Sequence, residues 1–232
     1  MEVSNLSKSF DGRSAVRGLS FQAADGAITG LLGSNGAGKT TTLRMLCGVL
    51  QPDSGSTAIG QDSLGALLDH TGLYARLTVR ENMEYFARLR GMPSRAIADR
   101  IAAVIATLNL ETIAERRAAN LSQGERMRAA LARAIVHAPR NLVLDEPANG
   151  LDIHSVRALR DLLRHARDAG AAIIFSSHML EEVRALCDHI VIIDRGCLVA
   201  EGSPAALCLQ TASASLEDAF VKLTGTQEVP AC

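Results

Sequence analysis

The octet Gly33-Ser34-Asn35-Gly36-Ala37-Gly38-Lys39-Thr40 has the pattern G-x-x-x-x-G-K-[ST], and no other feature constrains the chain as strongly. Its glycines permit a tight turn in which consecutive backbone N–H groups face a single anion. In that geometry Lys39 brings a point charge to the β and γ phosphates of a nucleotide, and the Thr40 hydroxyl is placed to ligate Mg²⁺. The flanks agree with this. Ile28-Thr29-Gly30-Leu31-Leu32 is an apolar run of strand length, and Leu43, Leu46 and Leu50 fall at helical spacing from Thr41 onward. The loop is therefore expected to join a buried strand to a helix whose positive end meets phosphate, with Gly33 through Thr41 around the anion.

At 232 residues the chain can form one large domain, or a core with a subdomain. Its hydrophobic content of 47% supplies a core, yet no run approaches the ~18 apolar residues of a membrane span. Met1-Glu2-Val3-Ser4-Asn5 has neither a basic segment nor an apolar one, so no export signal is expected. Five cysteines (47, 187, 197, 208 and 232) show no C-x-x-C pair and no metal spacing, which points to buried or free cytosolic thiols. A net charge of −1, no block of five basic residues and 3% aromatics with no Trp give no footing for a nucleic-acid partner.

Along the chain, Val3 to Phe10 and Leu19 to Ala23 read as strands around the turn Asp11-Gly12, with a short strand near Ser56 to Gly60. Strand patterns then vanish. Val79 to Arg90, Arg95 to Leu108 and a third stretch from Ser122 carry apolar residues at helical spacing. The α/β pattern resumes with strands Leu142 to Asp145 and Ala171 to Phe175 about a helix from Ile153 to Ala169. A hairpin at Arg195-Gly196 and a helix from Leu216 to Leu223 follow. The expected organisation is an α/β core over 1–72 and 137–225, a helical subdomain over 73–136, and a frayed tail over 226–232.

Two further segments carry chemistry. Leu142-Val143-Leu144-Asp145-Glu146, followed by Pro147, is an apolar strand ending in two acids. Asp145 can hold Mg²⁺ through water, and Glu146 can polarise an attacking water as general base. Leu121-Ser122-Gln123-Gly124-Glu125 contains S-x-x-E, a capping box ahead of a long helix, and a capped terminus beside a glycine can attract an anion.

Phosphate loop, Ser122-Gln123-Gly124-Glu125, acid pair, Asn149-Gly150-Leu151-Asp152 and Ser177-His178 stand in an order and spacing that resembles the ATP-binding subunits of ABC transporters, over about residues 2 to 225. That resemblance implies a P-loop NTPase (RecA-like) core with an N-terminal antiparallel β subdomain and an all-helical insert. It implies ATP and Mg²⁺ as cofactors, with Phe10 stacking on adenine. Leu121 to Glu125, chiefly Ser122 and Gly124, would meet the γ-phosphate held by an opposing subunit. Asp152 would link the two sites, and His178 would act as a switch beside Glu146. The family usually has a glutamine where this sequence has Asp69, which the resemblance makes a metal-side position with altered charge.

Gly72-Leu73-Tyr74-Ala75-Arg76-Leu77-Thr78-Val79-Arg80-Glu81-Asn82 and the Leu216-Glu217-Asp218-Ala219-Phe220 tail are similar to the sodium-extruding NatA-type exporters. In that family the exposed pair Leu73-Tyr74 and the first insert helix would receive a polytopic membrane (permease) subunit. The working unit would be a homodimer or heterodimer of ATPase subunits, cytoplasmic and peripheral on the inner face of the cell membrane. The competing reading is a soluble ABC-type ATPase in DNA repair or translation. Such chains usually carry long coiled coils between loop and signature, or two fused cassettes, and neither is present here.

Overall fold

The computed structural model describes residues 1–60, 63–68 and 72–225. Three apolar runs lie side by side at its centre: β3 (Ile28–Leu32), β6 (Asn141–Asp145) and β7 (Ala172–Ser177). With β5 (Leu64–Leu67), β8 (His189–Asp194) and β9 (Cys197–Gly202) they form a sheet of order β5-β6-β7-β3-β8-β9. All neighbours are parallel except the β8–β9 hairpin. Strands covered on both faces have no solvent side, which is why these segments are uniformly rather than alternately apolar. Pairing sets Leu32 beside Ser177 and Asp145 beside Ser176, so the carboxyl ends of β3, β6 and β7 finish together.

A second, antiparallel sheet of order β2-β1-β4 contains β1 (Glu2–Phe10), β2 (Arg13–Gln22) and β4 (Ser54–Ala58). Asp11 and Gly12 make its two-residue turn with φ of 47° and 78°, the left-handed geometry that such hairpins require. Its buried residues Val3, Leu6, Leu19 and Phe21 pack with Leu31, Val191 and Ile193 of the large sheet, and with Leu43 and Leu46 of α1 (Lys39–Leu46). Helix α1 stops short of Leu50 because Gly48 takes a φ of 72°, a left-handed residue that ends helices. Strand β2 also begins earlier than its period-two stretch indicated, at Arg13.

Between β5 and β6 the chain forms α2 (Val79–Leu89), α3 (Ser94–Thr107) and α4 (Gln123–Ile135). Thr78 with Glu81 and Ser122 with Glu125 each build a reciprocal capping box, satisfying donors that a helix start leaves open. Met83, Ile101, Val104 and Leu131 from these helices merge with Leu67, Leu142 and Leu159 into one continuous core. Each such side chain contributes roughly 1.5–3 kcal/mol when fully buried. Leu73 also packs against this core, so only Tyr74 of the anticipated exposed pair stays well exposed.

Edge strand β5 is covered by α4. Arg133 Nη2 donates to Ala66 O at 2.8 Å, and His137 Nε2 lies 3.1 Å from Leu64 O. Arg133 stands in the last turn of α4 and His137 just past its end, so both edge carbonyls find donors. A carbonyl only accepts, so His137 carries its proton on Nε2. Burial lowers its pKa and keeps it neutral.

The remaining helices are α5 (Ile153–Asp168), α6 (Leu180–Leu186), α7 (Pro204–Gln210) and α8 (Leu216–Gly225). Neither α6 nor α7 is long enough to show a clear period. Helix α7 is started by Ser203, which caps Ala206 N, and by Pro204 at its first turn. Cys47, Cys187 and Cys208 are free, and desolvation pushes the Cys47 thiol up to about 12. Cys197 is disulfide-bonded, a correction to the expectation of thiols throughout.

Buried Asn82 organises the segment entering α2. Its Oδ1 accepts from Tyr74 N at 2.8 Å, and its Nδ2 donates to Thr78 O at 2.8 Å and Tyr74 O at 3.2 Å. Asn82→Leu should therefore cost about 3 kcal/mol of stability, since each stranded buried partner costs roughly 1–3 kcal/mol. Urea unfolding of the variant beside the parent measures this.

Candidate functional site

The site is built where β3, β6 and β7 end. Immediately after β3, Gly33 lies so close to the Ile193 carbonyl that no Cβ fits, and at Gly38 a Cβ would stand 2.5 Å from Ala15 O. Gly38 is also held at φ 104°, and Gly36 at φ 85°. Both conformations suit glycine alone. Ser34, Asn35 and Gly36 are exposed along the loop, and Ala37 is buried beneath it.

Gly38 caps α1 without any side chain, so the first-turn N–H groups of this helix receive no side-chain acceptor. Such a terminus attracts an anion through free donors and the helix dipole. Lys39 arches back over its own loop, donating to Gly33 O at 2.8 Å and Ser34 O at 3.2 Å, and is only 7% exposed. Thr41 is half-buried beside it, and Thr42 turns away to Gly38 O.

Across from the loop, Asp145 accepts from Thr40 Oγ1 at 2.6 Å and, with its other oxygen, from Ser176 Oγ. Ser176 Oγ also accepts from Glu146 N at 2.9 Å. This one hydroxyl thus fixes both acids, although nothing in the sequence singled it out. Glu146 sits at φ 47°, a left-handed bend that turns its side chain off the strand line. Its Oε2 lies 2.8 Å from His178 Nδ1, and its Oε1 3.8 Å from Lys39 Nζ. A carboxylate accepts, so His178 carries a proton on Nδ1. Behind His178, Arg160 donates both Nε and Nη2 to the buried Glu182 at 3.1 and 2.8 Å, anchoring α6 to α5.

A second array lies apart from the first. Ser122 Oγ accepts from Glu125 N at 3.3 Å, Glu125 returns to Ser122 N at 2.8 Å, and Arg116 holds the same carboxylate at 2.7 Å. Those bonds, the one to the Ser122 backbone foremost, keep the Glu125 pKa below its ordinary value. This segment abuts the turn before α5. A Cβ at Gly124 would meet Gly150 O at 3.1 Å, and one at Gly150 would meet Gln123 Nε2 at 3.2 Å. Leu121 is buried in the core. Asp152 caps α5 by accepting from Ser155 N at 2.9 Å and Ser155 Oγ at 3.0 Å, which lowers its pKa.

The structure thus joins Thr40, Asp145, Glu146 and His178 through hydrogen bonds that pass by Ser176, with the Lys39 ammonium 3.8 Å from Glu146. Ser122 through Glu125 form another, beside Gly150. Phe10 closes β1, 46% exposed with Lys8 Nζ 5.8 Å above its ring, and touches neither group. Asp69 lies outside the described residues.

The sequence profile of the ABC transporter family matches residues 16–149, more than half of the chain. The chain belongs to the ABC transporter family. Among its relatives, the Nod factor export ATP-binding protein I of Rhizobium sp. (strain N33) is 39% identical, over 89% of this chain and 72% of that protein. The ABC transporter ATP-binding protein NatA of Bacillus subtilis (strain 168) is 36% identical, over 89% of each chain. A solved ATP-binding subunit of an ABC transporter superposes with a TM-score of 0.90 at 26% identity, covering 96% of this chain and 98% of that one. A dimeric ATP-binding cassette solved after hydrolysis, bound to ADP and Pi, shares the fold with a TM-score of 0.80 at 20% identity. That match covers 87% of this chain and 97% of the other. The P-loop core and ATPase activity expected of the sequence follow from this membership.

For this ABC ATPase the loop backbone predicts a clear substitution effect. Gly38→Ala should weaken nucleotide binding by about tenfold to a hundredfold, because strain of ~1–3 kcal/mol falls on the phosphate-facing turn. Titration with a fluorescent ATP analogue tests it, with the melting temperature as the control for folding.

Proposed function

We propose that this ABC ATPase powers export by closing as a dimer around two ATP molecules, with a separate membrane subunit as its load. The observation that carries this reading is the separation of the two arrays. Each chain has a complete phosphate loop and acid pair, while its capped Ser122 terminus adjoins Gly150 instead of its own Lys39. A second copy, whether identical or related, would supply the missing helix end to the bound γ-phosphate, with Asp152 at the junction. Loss of that phosphate on hydrolysis removes the attraction and reopens the pair.

Within one chain the roles follow from the contacts. Glu146 is the general base for the attacking water, held by His178 and placed near the Lys39 ammonium. Lys39 and the open N-terminus of α1 offset charge that develops on the phosphoryl oxygens. Phe10, exposed at the end of its strand, offers an aromatic face to adenine. Thr40 and Asp145 fit Mg²⁺, presenting a hydroxyl and a carboxylate 2.6 Å apart, both hard oxygen donors. No group of three or more His, Cys, Asp or Glu gathers to hold a metal among the described residues, so phosphate and water would fill the rest of the shell. The bound ion would supply charge neutralisation on the phosphates.

The proposed division of labour assigns 1–72 and 137–225 to the nucleotide core and 73–136 to the insert that meets the permease. Tyr74 and Tyr85, both more than two-fifths exposed and packed edge-to-face at 5.0 Å, form an aromatic surface suited to a coupling helix. No helix of the described residues is long and apolar enough to cross a membrane, so the transport path would belong to that partner. In this reading the chain would sit peripherally on the cytoplasmic face, beside its permease. Relatives named for Nod factor export support export as the direction. Sodium is the cargo that the NatA likeness favours.

Glu146→Gln should retain ATP affinity while hydrolysis falls by about 10²–10⁴-fold, the usual weight of a general base. Closed dimers should then accumulate with Mg²⁺ and ATP in size-exclusion chromatography. Parental turnover in this variant would rule out Glu146 as the base.

A further inference from the structure

A cavity of about 550 Å³ lies away from the phosphate loop, between α3, the start of β6 and α5. Its volume falls within the usual range for a small-ligand site, roughly 300–1,000 Å³. One wall is the face of α3 carrying Arg100, Val104 and Thr107, which are spaced to share a side. The facing wall carries Leu162, His165 and Ala166 of α5, and Leu142 and Ile135 line it further. Room remains because alanines stand at 138, 166, 169 and 171, where larger side chains would meet across the gap.

The charged lining is of one sign. Arg100 donates from Nε to Val136 O at 3.0 Å and from Nη2 to Ile135 O at 3.1 Å, so its guanidinium is pinned at the end of α4 with N–H groups to spare. Its burial lowers its pKa, a sign of incomplete hydration. Neither Arg100 nor Arg140 has a carboxylate partner among the described residues, and no Asp or Glu lines the cavity. His165 Nδ1 is engaged by Asp161 O at 2.6 Å, which leaves Nε2 as its remaining polar atom. Two guanidinium groups without counter-ions beside an apolar chamber are complementary to an amphiphile with one anionic head.

We propose that this cavity is a binding site for a free single-chain fatty carboxylate of medium length, its head on Arg100 and Arg140 and its chain among Val104, Leu142, Leu162 and Ala166. A chamber of drug-ligand size accommodates one such chain and excludes a two-chain membrane lipid. The occupant would bridge α3 of the insert and α5 of the core. The site stands apart from the proposed ATP chemistry and does not depend on it.

Isothermal titration of the whole chain with decanoate, below its micelle-forming concentration, is the direct test. Decylamine, decanol and acetate serve as probes matched in chain or head. Decanoate should bind saturably at one site, with decylamine and acetate at least tenfold weaker. Arg140→Gln, at an exposed side chain with no ion pair, should weaken decanoate by about tenfold, as expected for a charge-assisted hydrogen bond. Ala166→Leu should abolish binding by filling the chamber. Absence of decanoate binding, equal binding to the parent and both variants, or tighter binding of decylamine would overturn the proposal. If Ala166→Leu fails to fold, Arg140→Gln and the decylamine comparison decide it. A nucleotide titration on the same samples reports separately on the phosphate loop, so failure here is distinguishable from failure of the ATPase reading.

Discussion

A single hydroxyl holds the chemistry of this molecule together. Ser176 donates to Asp145 and accepts from the Glu146 backbone, and Asp145 in turn reaches across to Thr40. Remove that junction and the acid pair loses its position relative to the phosphate loop. The junction exists because β6 pairs with β7 in a register that sets Asp145 beside Ser176. Register in this sheet is fixed by two different cores, since a one-residue slip would exchange Leu142 and Leu144 on one face with Val143 on the other. The catalytic geometry therefore inherits its precision from the apolar packing of Leu142, Leu144, Ile173 and Phe175, residues that touch no substrate.

The helical insert follows a different logic. It has no sheet of its own, and its order comes from its ends. Thr78 and Ser122 start α2 and α4 with the same reciprocal cap, and Asn82 ties the approach to α2 through four backbone groups of the preceding turn. Arg133 and His137 then fasten α4 to the free edge of β5. The helix that presents Ser122 is thereby joined to a strand of the sheet that holds the acids. Closing the edge also removes a row of unpaired backbone groups that would otherwise invite another strand.

Several features were readable from residues alone because their cause is local. The phosphate loop needs glycine where the backbone is left-handed or crowded, and Gly33, Gly36 and Gly38 meet that need in place. The apolar runs at β3, β6 and β7 and the capping pair Ser122 and Glu125 carry their signal within a few positions. Other features were not readable. Ser176 looks like one polar residue at the end of an apolar strand, and only its neighbour across the sheet gives it a role. Helix α6 is short, and its anchor is the Arg160–Glu182 contact with another helix. The Leu73-Tyr74 pair read as exposed, yet Leu73 found a core that no local pattern reveals.

What the sequence determined by itself was the kind of molecule: a nucleotide-binding α/β core with a helical insert, since loop conformation, strand burial and helix capping depend on neighbours in the chain. Tertiary structure alone decided which side chains meet. It set Glu146 between His178 and Lys39, placed Gln123 and Gly124 against Gly150, and left two arginines facing an apolar chamber. Contacts of that kind join residues far apart in the chain, and their distances are set by how sheets and helices pack, a quantity no short stretch of sequence contains.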